Sequence, residues 1–123
     1  MSVVGTTLVS VCDIARLTPE LGVAALFGDL QVAIFLLSSG DVYAVQNLDP
    51  FSGANVMSRG ITGTRGTEPT IASPIYKQVF SLTTGLCLAT MDRDPVTPGG
   101  PDLETFPVTL DNGQVFLDLA GYR

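Results

Sequence analysis

Histidine is absent from the chain, and cysteine occurs only twice, as Cys12 and Cys87. Without imidazole there is no His-based general acid or base, and two widely separated thiols form neither a CxxC redox pair nor a zinc-finger spacing. Both are expected to pack as free, small hydrophobes. Charge is scarce as well: DEKR residues make up 15% of the 123 positions, against about 25% in an average soluble domain. Twelve acids face six bases, for a formal charge of −6. That balance removes the counterion release that drives nucleic-acid affinity, so neither nucleic acid nor an anionic membrane is expected as a partner. Long hydrophobic runs are missing too. The longest charge-free stretch, Gln78 to Met91, is broken by Thr83-Thr84-Gly85 and falls short of the roughly 18 apolar residues of a membrane span. The opening MSVVGTTLVSVC has no positive n-region, so no export signal is read and a cytoplasmic location is expected.

What is present is apolar and β-like. The chain is 46% hydrophobic, with a mean hydropathy of +0.39 and a mass of 12.9 kDa, enough for one core without metal or disulfide staples. One domain over residues 1–123 is expected. The apolar runs are short, β-branched and closed by turn residues, with period two dominating over 3.6. Strands are predicted over Thr7–Ile14, Val23–Phe27, Leu30–Leu37, Val42–Asn47, Thr70–Ala72, Gln78–Leu82, Leu86–Ala89, Val108–Leu110 and Gln114–Leu119. Gly28-Asp29, Ser38–Asp41 and Asp111-Asn112-Gly113 supply the turns, and the last two strands are predicted to form a hairpin. Val42–Asn47 reads as a half-buried strand, and Val32, Ile34, Val42, Ala44 and Phe80 are expected to face inward. Thr18-Pro19-Glu20-Leu21 offers one helical turn before Gly22 stops it. Three segments read as long loops: Leu48–Ser58, the Gly- and Thr-rich Arg59–Pro69, and Arg93–Pro107 with four of the eight prolines.

Two of these regions carry a pattern, VYAVQNLDPFSGA from Val42 to Ala54 and IASPIYKQVFSLTTGLCL from Ile71 to Leu88. They resemble Rieske iron–sulfur domains. In that family a VYA-type strand leads into a Cys-Pro-His loop, and a Cys-Pro-x-His loop leads into a Phe-centred strand ending in Thr-Gly. Asp49-Pro50-Phe51 and Ser73-Pro74-Ile75-Tyr76 stand at those places. Asp49 and Ser73 therefore occupy the two Cys positions, and Phe51 and Tyr76 the two His positions. A Rieske centre needs two thiolates on one iron and two imidazoles on the other. This chain has no imidazole at all.

With VMSRGI at Val56–Ile61, the degenerate loops are similar to those of the small subunits of assimilatory NAD(P)H-dependent nitrite reductases. The resemblance spans roughly Thr7 to Leu119. It implies a Rieske-type antiparallel β-sandwich or partial barrel, with two motif loops at one tip, little helix and no cluster. It also implies a large-subunit partner that carries FAD, sirohaem and a 4Fe–4S centre and reduces nitrite to ammonia. No independent catalysis is then expected of this chain. A Rieske-like, non-catalytic binding module of another oxidoreductase is the alternative. The vacated positions are expected to pair as Asp49 with Ser73 and Phe51 with Tyr76. Phe51, Arg59, Arg65, Tyr76 and Lys77 are the candidates for contact with the partner.

Other chemistries read weakly. Asp92 and Asp94 around Arg93, with Asp102 and Glu104 nearby, have carboxylate character suited to Mg²⁺ or Ca²⁺, but no EF-hand spacing surrounds them and they read as a solvated acidic loop. Ser73 lacks the Gly-x-Ser-x-Gly elbow of a nucleophile. GTRGTEP is not a phosphate loop between a strand and a helix and reads as a mobile surface turn.

Overall fold

The computed structural model describes residues 8–119, and the short β-prone runs become eleven strands with no α-helix among them. In chain order these are β1 (Leu8–Asp13), β2 (Gly22–Phe27), β3 (Leu30–Leu36), β4 (Val42–Gln46), β5 (Ile61–Arg65), β6 (Glu68–Ala72), β7 (Val79–Ser81), β8 (Cys87–Ala89), β9 (Thr105–Phe106), β10 (Val108–Asp111) and β11 (Gln114–Asp118). They form three antiparallel sheets, ordered β1-β11-β10, β2-β3-β4-β9 and β5-β6-β7-β8. The β10–β11 hairpin turns through Asn112 at φ 51° and Gly113 at φ 78°, the left-handed pair that a two-residue turn favours. Thr7, predicted to begin the first strand, lies outside the described residues.

The centre of the molecule is β3. Val32 and Ile34, with Val42 and Ala44 of β4, pack with Phe106, Val115 and Leu117 in one core. Ala33, Phe35 and Val45 pack with Phe51, Met57, Ile71, Phe80, Leu82 and Leu103 in a second. All five residues expected to face inward are buried, but Phe80 belongs to a different core from the other four. β4 is not half-buried as expected, because Val45 on its other face is fully enclosed. The middle sheet lies between two cores, within the antiparallel all-β fold that was expected. The unbroken apolar run Val32–Leu37 suits such a strand, covered on both faces.

Two of the expected loops contain strands. Arg59–Pro69 holds β5 and the start of β6, joined through Gly66 at φ 65°. Threonine favours strands as strongly as other β-branched residues, and glycine here serves the turn. Pro69 is tolerated because its carbonyl accepts from the Leu82 N–H at 2.9 Å. Its main-chain groups face β7, so the missing N–H costs the β5–β6 ladder nothing. Arg93–Pro107 holds β9, which adds Thr105 and Phe106 to the edge of β4. The same segment buries Leu103, whose N–H meets the Gly85 carbonyl at 2.8 Å. Gly85 sits at φ 80°, and a Cβ there would lie 2.0 Å from the Leu103 oxygen, so only glycine fits this close approach.

The helical turn expected at Thr18–Leu21 is a reverse turn instead, with a 3-10 turn earlier at Ile14–Arg16. The Leu21 N–H donates to Thr18 O at 3.1 Å, and Glu20 is left-handed at φ 68°, which no right-handed helix permits. Three bonds hold it. The Glu20 N–H donates to Leu36 O at 2.7 Å, and its carboxylate accepts from the Ser38 N–H at 2.6 Å and the Thr62 hydroxyl at 2.5 Å. That carboxylate joins the middle sheet to β5. The Thr62 hydroxyl, followed by Ser38, lowers the Glu20 pKa below the ordinary glutamate value. A depressed folded-state pKa stabilises the fold above the unfolded value and ceases to do so as pH falls through the folded one. The stability difference between wild type and Glu20→Gln should therefore be constant at neutral pH and shrink on acidification below the ordinary glutamate range, as read by urea unfolding at a series of pH values. It should be modest, because the group is exposed. A difference that grows on acidification would contradict the link.

Candidate functional site

The first loop is organised from the end of β4. Asn47 is buried, donating through Nδ2 to Gln31 Oε1 at 3.1 Å and Asn55 O at 3.2 Å, while its Oδ1 accepts from the Ser58 N–H at 2.7 Å. One side chain thus holds both ends of Leu48–Ser58. Inside the loop Asp49 is fully buried. Its Oδ1 accepts from the Phe51 N–H at 2.9 Å, and its Oδ2 accepts from the Ser52 hydroxyl at 3.0 Å and the Ser73 hydroxyl at 2.6 Å. The last bond reaches the second loop, so the two motif loops meet at one tip. Ser73 Oγ in turn accepts from the Ile75 N–H at 3.2 Å, and the Ser73 N–H donates to Gln78 O at 2.9 Å.

The aromatic positions diverge. Phe51 is 3% exposed and packs against Phe80, with ring centroids 6.1 Å apart and planes 50° apart. Tyr76 is 36% exposed, and the Arg93 guanidinium lies 3.6 Å from its ring centroid. The expected Phe51–Tyr76 pair is therefore not formed: an apolar ring gains by entering the core, whereas a phenol keeps its hydroxyl in water. Phe51 is correspondingly not a surface anchor. Arg59 and Arg65, both exposed, are also separated. Arg59 precedes Ile61, which pairs with Ala72 beside the second loop, while Arg65 pairs with Glu68 at the other end of β6, roughly 14 Å away by strand rise. Lys77 is at the tip, left-handed at φ 69°, with Nζ donating to Pro74 O at 3.1 Å.

A third segment joins the tip, which the sequence did not signal. The Val96 N–H donates to Pro50 O at 2.8 Å, and Arg93 covers Tyr76. The expected solvated loop is thus fastened to both motif loops, although Asp92 and Asp94 are exposed as expected. Asp102 accepts from the Cys87 N–H at 2.8 Å. Both thiols are free and half-buried. Burial is the main reason that each titrates above its ordinary value, with Asp102 and Asp49 adding to the effect at Cys87.

No group of three or more His, Cys, Asp or Glu side chains among the described residues is placed to hold a metal. The four positions of the Rieske ligand pattern present a carboxylate, a phenyl ring, a hydroxyl and a phenol. The carboxylate is already engaged by three donors, and the phenyl ring is turned into the core. This donor set does not fit a centre that needs two thiolates and two imidazoles.

Three antiparallel sheets with two facing loops at one tip define a Rieske-like domain, and residues 7–118 match the family described as the Rieske-like 2Fe-2S domain. The NADH nitrite reductase small subunit of Escherichia coli K12 is 47% identical over 79 residues, 63% of this chain and 73% of that protein. The solution structure of the NAD(P)H nitrite reductase small subunit from Erwinia carotovora superposes with a TM-score of 0.72 at 31% identity, covering 94% of this chain and 83% of that one. Within this class, the chain belongs to the family of nitrite reductase small subunits. It is also 35% identical over 108 residues, 88% of its length, to the NAD(P)H nitrite reductase large subunit of Klebsiella oxytoca, of which it spans only 10%. No helix among the described residues is long and apolar enough to cross a membrane.

Proposed function

We propose that the chain, one Rieske-like unit over residues 1–123, is a cluster-free accessory subunit of a cytoplasmic NAD(P)H-dependent nitrite reductase. Its partner is the large subunit, which carries FAD, sirohaem and the 4Fe–4S centre and reduces nitrite to ammonia. The observation that carries this reading is the Asp49–Ser73 bond of 2.6 Å. At the two Cys positions a carboxylate and a hydroxyl close the loops on each other, so the tip keeps its shape without iron. The similarity of this chain to a tenth of a large subunit supports the choice of partner, because a domain found within that polypeptide suits association with it. Arg59, Tyr76 and Lys77 are the contact candidates that lie at or beside the tip.

Two measurements test the proposal. The purified chain should be colourless and contain no iron, and it should capture a large sirohaem-containing chain from cells that express both. Stoichiometric iron with charge-transfer absorption would overturn the cluster-free part. Failure to bind the large subunit, with capture of a different oxidoreductase, would overturn the assignment of the partner.

A further inference from the structure

We propose that Arg93 stacked on Tyr76 is a carboxylate receptor at the tip, taking an Asp or Glu side chain of the large subunit. The inference rests on the partner assignment above. It starts from an anomaly of charge: acids outnumber bases twelve to six in this chain, and Asp92 and Asp94 flank Arg93, yet the Arg93 guanidinium lies on a tyrosine ring at 3.6 Å. The ring covers one side of the guanidinium, and the N–H fork that matches a carboxylate bidentately is the part left to a ligand. Among the described residues no side chain or carbonyl fills that fork.

The backbone is shaped to produce this. Met91 at φ 56° and Asp92 at φ 59° are both left-handed, a conformation that non-glycine residues adopt at a cost and that concentrates at functional sites. They turn the chain so that the Arg93 N–H meets Thr90 O at 3.2 Å. The same carbonyl accepts from Nε2 of the buried Gln78, also at 3.2 Å, which fastens the turn beside the second loop. Arg93 is therefore returned to Tyr76 by a fixed turn. Lys77 supplies a second cation, and Ile75 at 43% and Val96 at 65% exposure give the tip an apolar rim. The matching surface is a carboxylate set in apolar surroundings, the composition of a protein interface rather than of a free ion's hydration shell.

The test measures the affinity of the full chain for the large subunit. Arg93→Glu should raise Kd at least about 30-fold, and Arg93→Lys about tenfold, because lysine keeps the charge but not the planar fork. Tyr76→Ala should cost about tenfold, whereas Tyr76→Phe keeps the stacking ring and should stay within about twofold. Arg65→Glu, at the far end of β6, makes the same charge change away from the tip and should also stay within about twofold. Thermal unfolding of each variant should match wild type, since these side chains are exposed. Equal losses for Arg93→Glu and Arg65→Glu would reduce the effect to net charge and overturn the receptor. A wild-type chain that binds while Arg93→Glu binds equally well would overturn this inference alone, and a wild-type chain that does not bind would overturn the partner assignment with it.

Discussion

Replacing Asp49 with alanine should destabilise the folded chain by about 3 kcal/mol or more, read as a lower urea midpoint with an unchanged slope. Asp49 is fully buried and receives three hydrogen bonds, from the Phe51 N–H and the Ser52 and Ser73 hydroxyls. A charge-assisted hydrogen bond contributes about 1.5 to 3 kcal/mol, and removing the acceptor leaves the donors facing a gap. Ser73→Ala removes one donor and keeps the other two, so its cost should fall within about 1.5 to 3 kcal/mol. Asp49→Asn should cost less than alanine, because its Oδ1 can still accept from the Phe51 N–H and its amide N–H groups can donate to the Ser52 and Ser73 hydroxyl oxygens, with the charge assistance lost. The double variant Asp49→Ala/Ser73→Ala should cost less than the sum of the singles, since each single already breaks the shared bond. An Asp49→Ala loss below about 1 kcal/mol would show that the loops do not depend on this contact.

Phe51→Ala should cost a further large amount, about 3 to 5 kcal/mol, measured in the same way. Phe51 belongs to the core that includes Phe35, Met57, Ile71 and Phe80, and its ring contact with Phe80 adds about 0.5 to 1.5 kcal/mol beyond buried area. Truncation leaves a ring-sized void in a close-packed interior. Any binding defect of this variant would therefore be indirect, through the tilt of the first loop. Phe51→Leu should recover much of the stability. A Phe51→Ala protein as stable as wild type but defective in binding would place the ring at the surface, contrary to its 3% exposure.

The two neighbouring positions illustrate what a single chain of letters reveals. Asp49 and Ser73 were legible as partners because a motif resemblance places both at positions that converge. Phe51 and Tyr76 carried the same warrant, yet they part company, since a motif states which residues are near one another and not which way each side chain turns. Tyr76 has a hydroxyl to keep hydrated and Phe51 has none, a difference that decides direction only once the core beneath the loop exists. Asn47 was visible merely as the last residue of an alternating strand. Its four-way role, binding Gln31, Asn55 and Ser58 by side chain and Met57 by its carbonyl, depends on segments that the chain brings together from a distance.

By itself the sequence determined the all-β character, the strands around β3 and β4, the hairpin at Asn112-Gly113, the lack of imidazole and the degenerate ligand pattern. The ligand pattern rests on the motif resemblance, and the others follow from local properties: β-branched runs, left-handed turn residues and the presence or absence of a side-chain type. Only the tertiary structure decided that β3 is enclosed by two cores, that Arg59–Pro69 is largely strand, and that Arg93 and Val96 belong to the tip. Each of these rests on pairing between residues far apart in the chain. The free energy of such a contact comes from what lies across from a residue, which its neighbours in sequence do not encode.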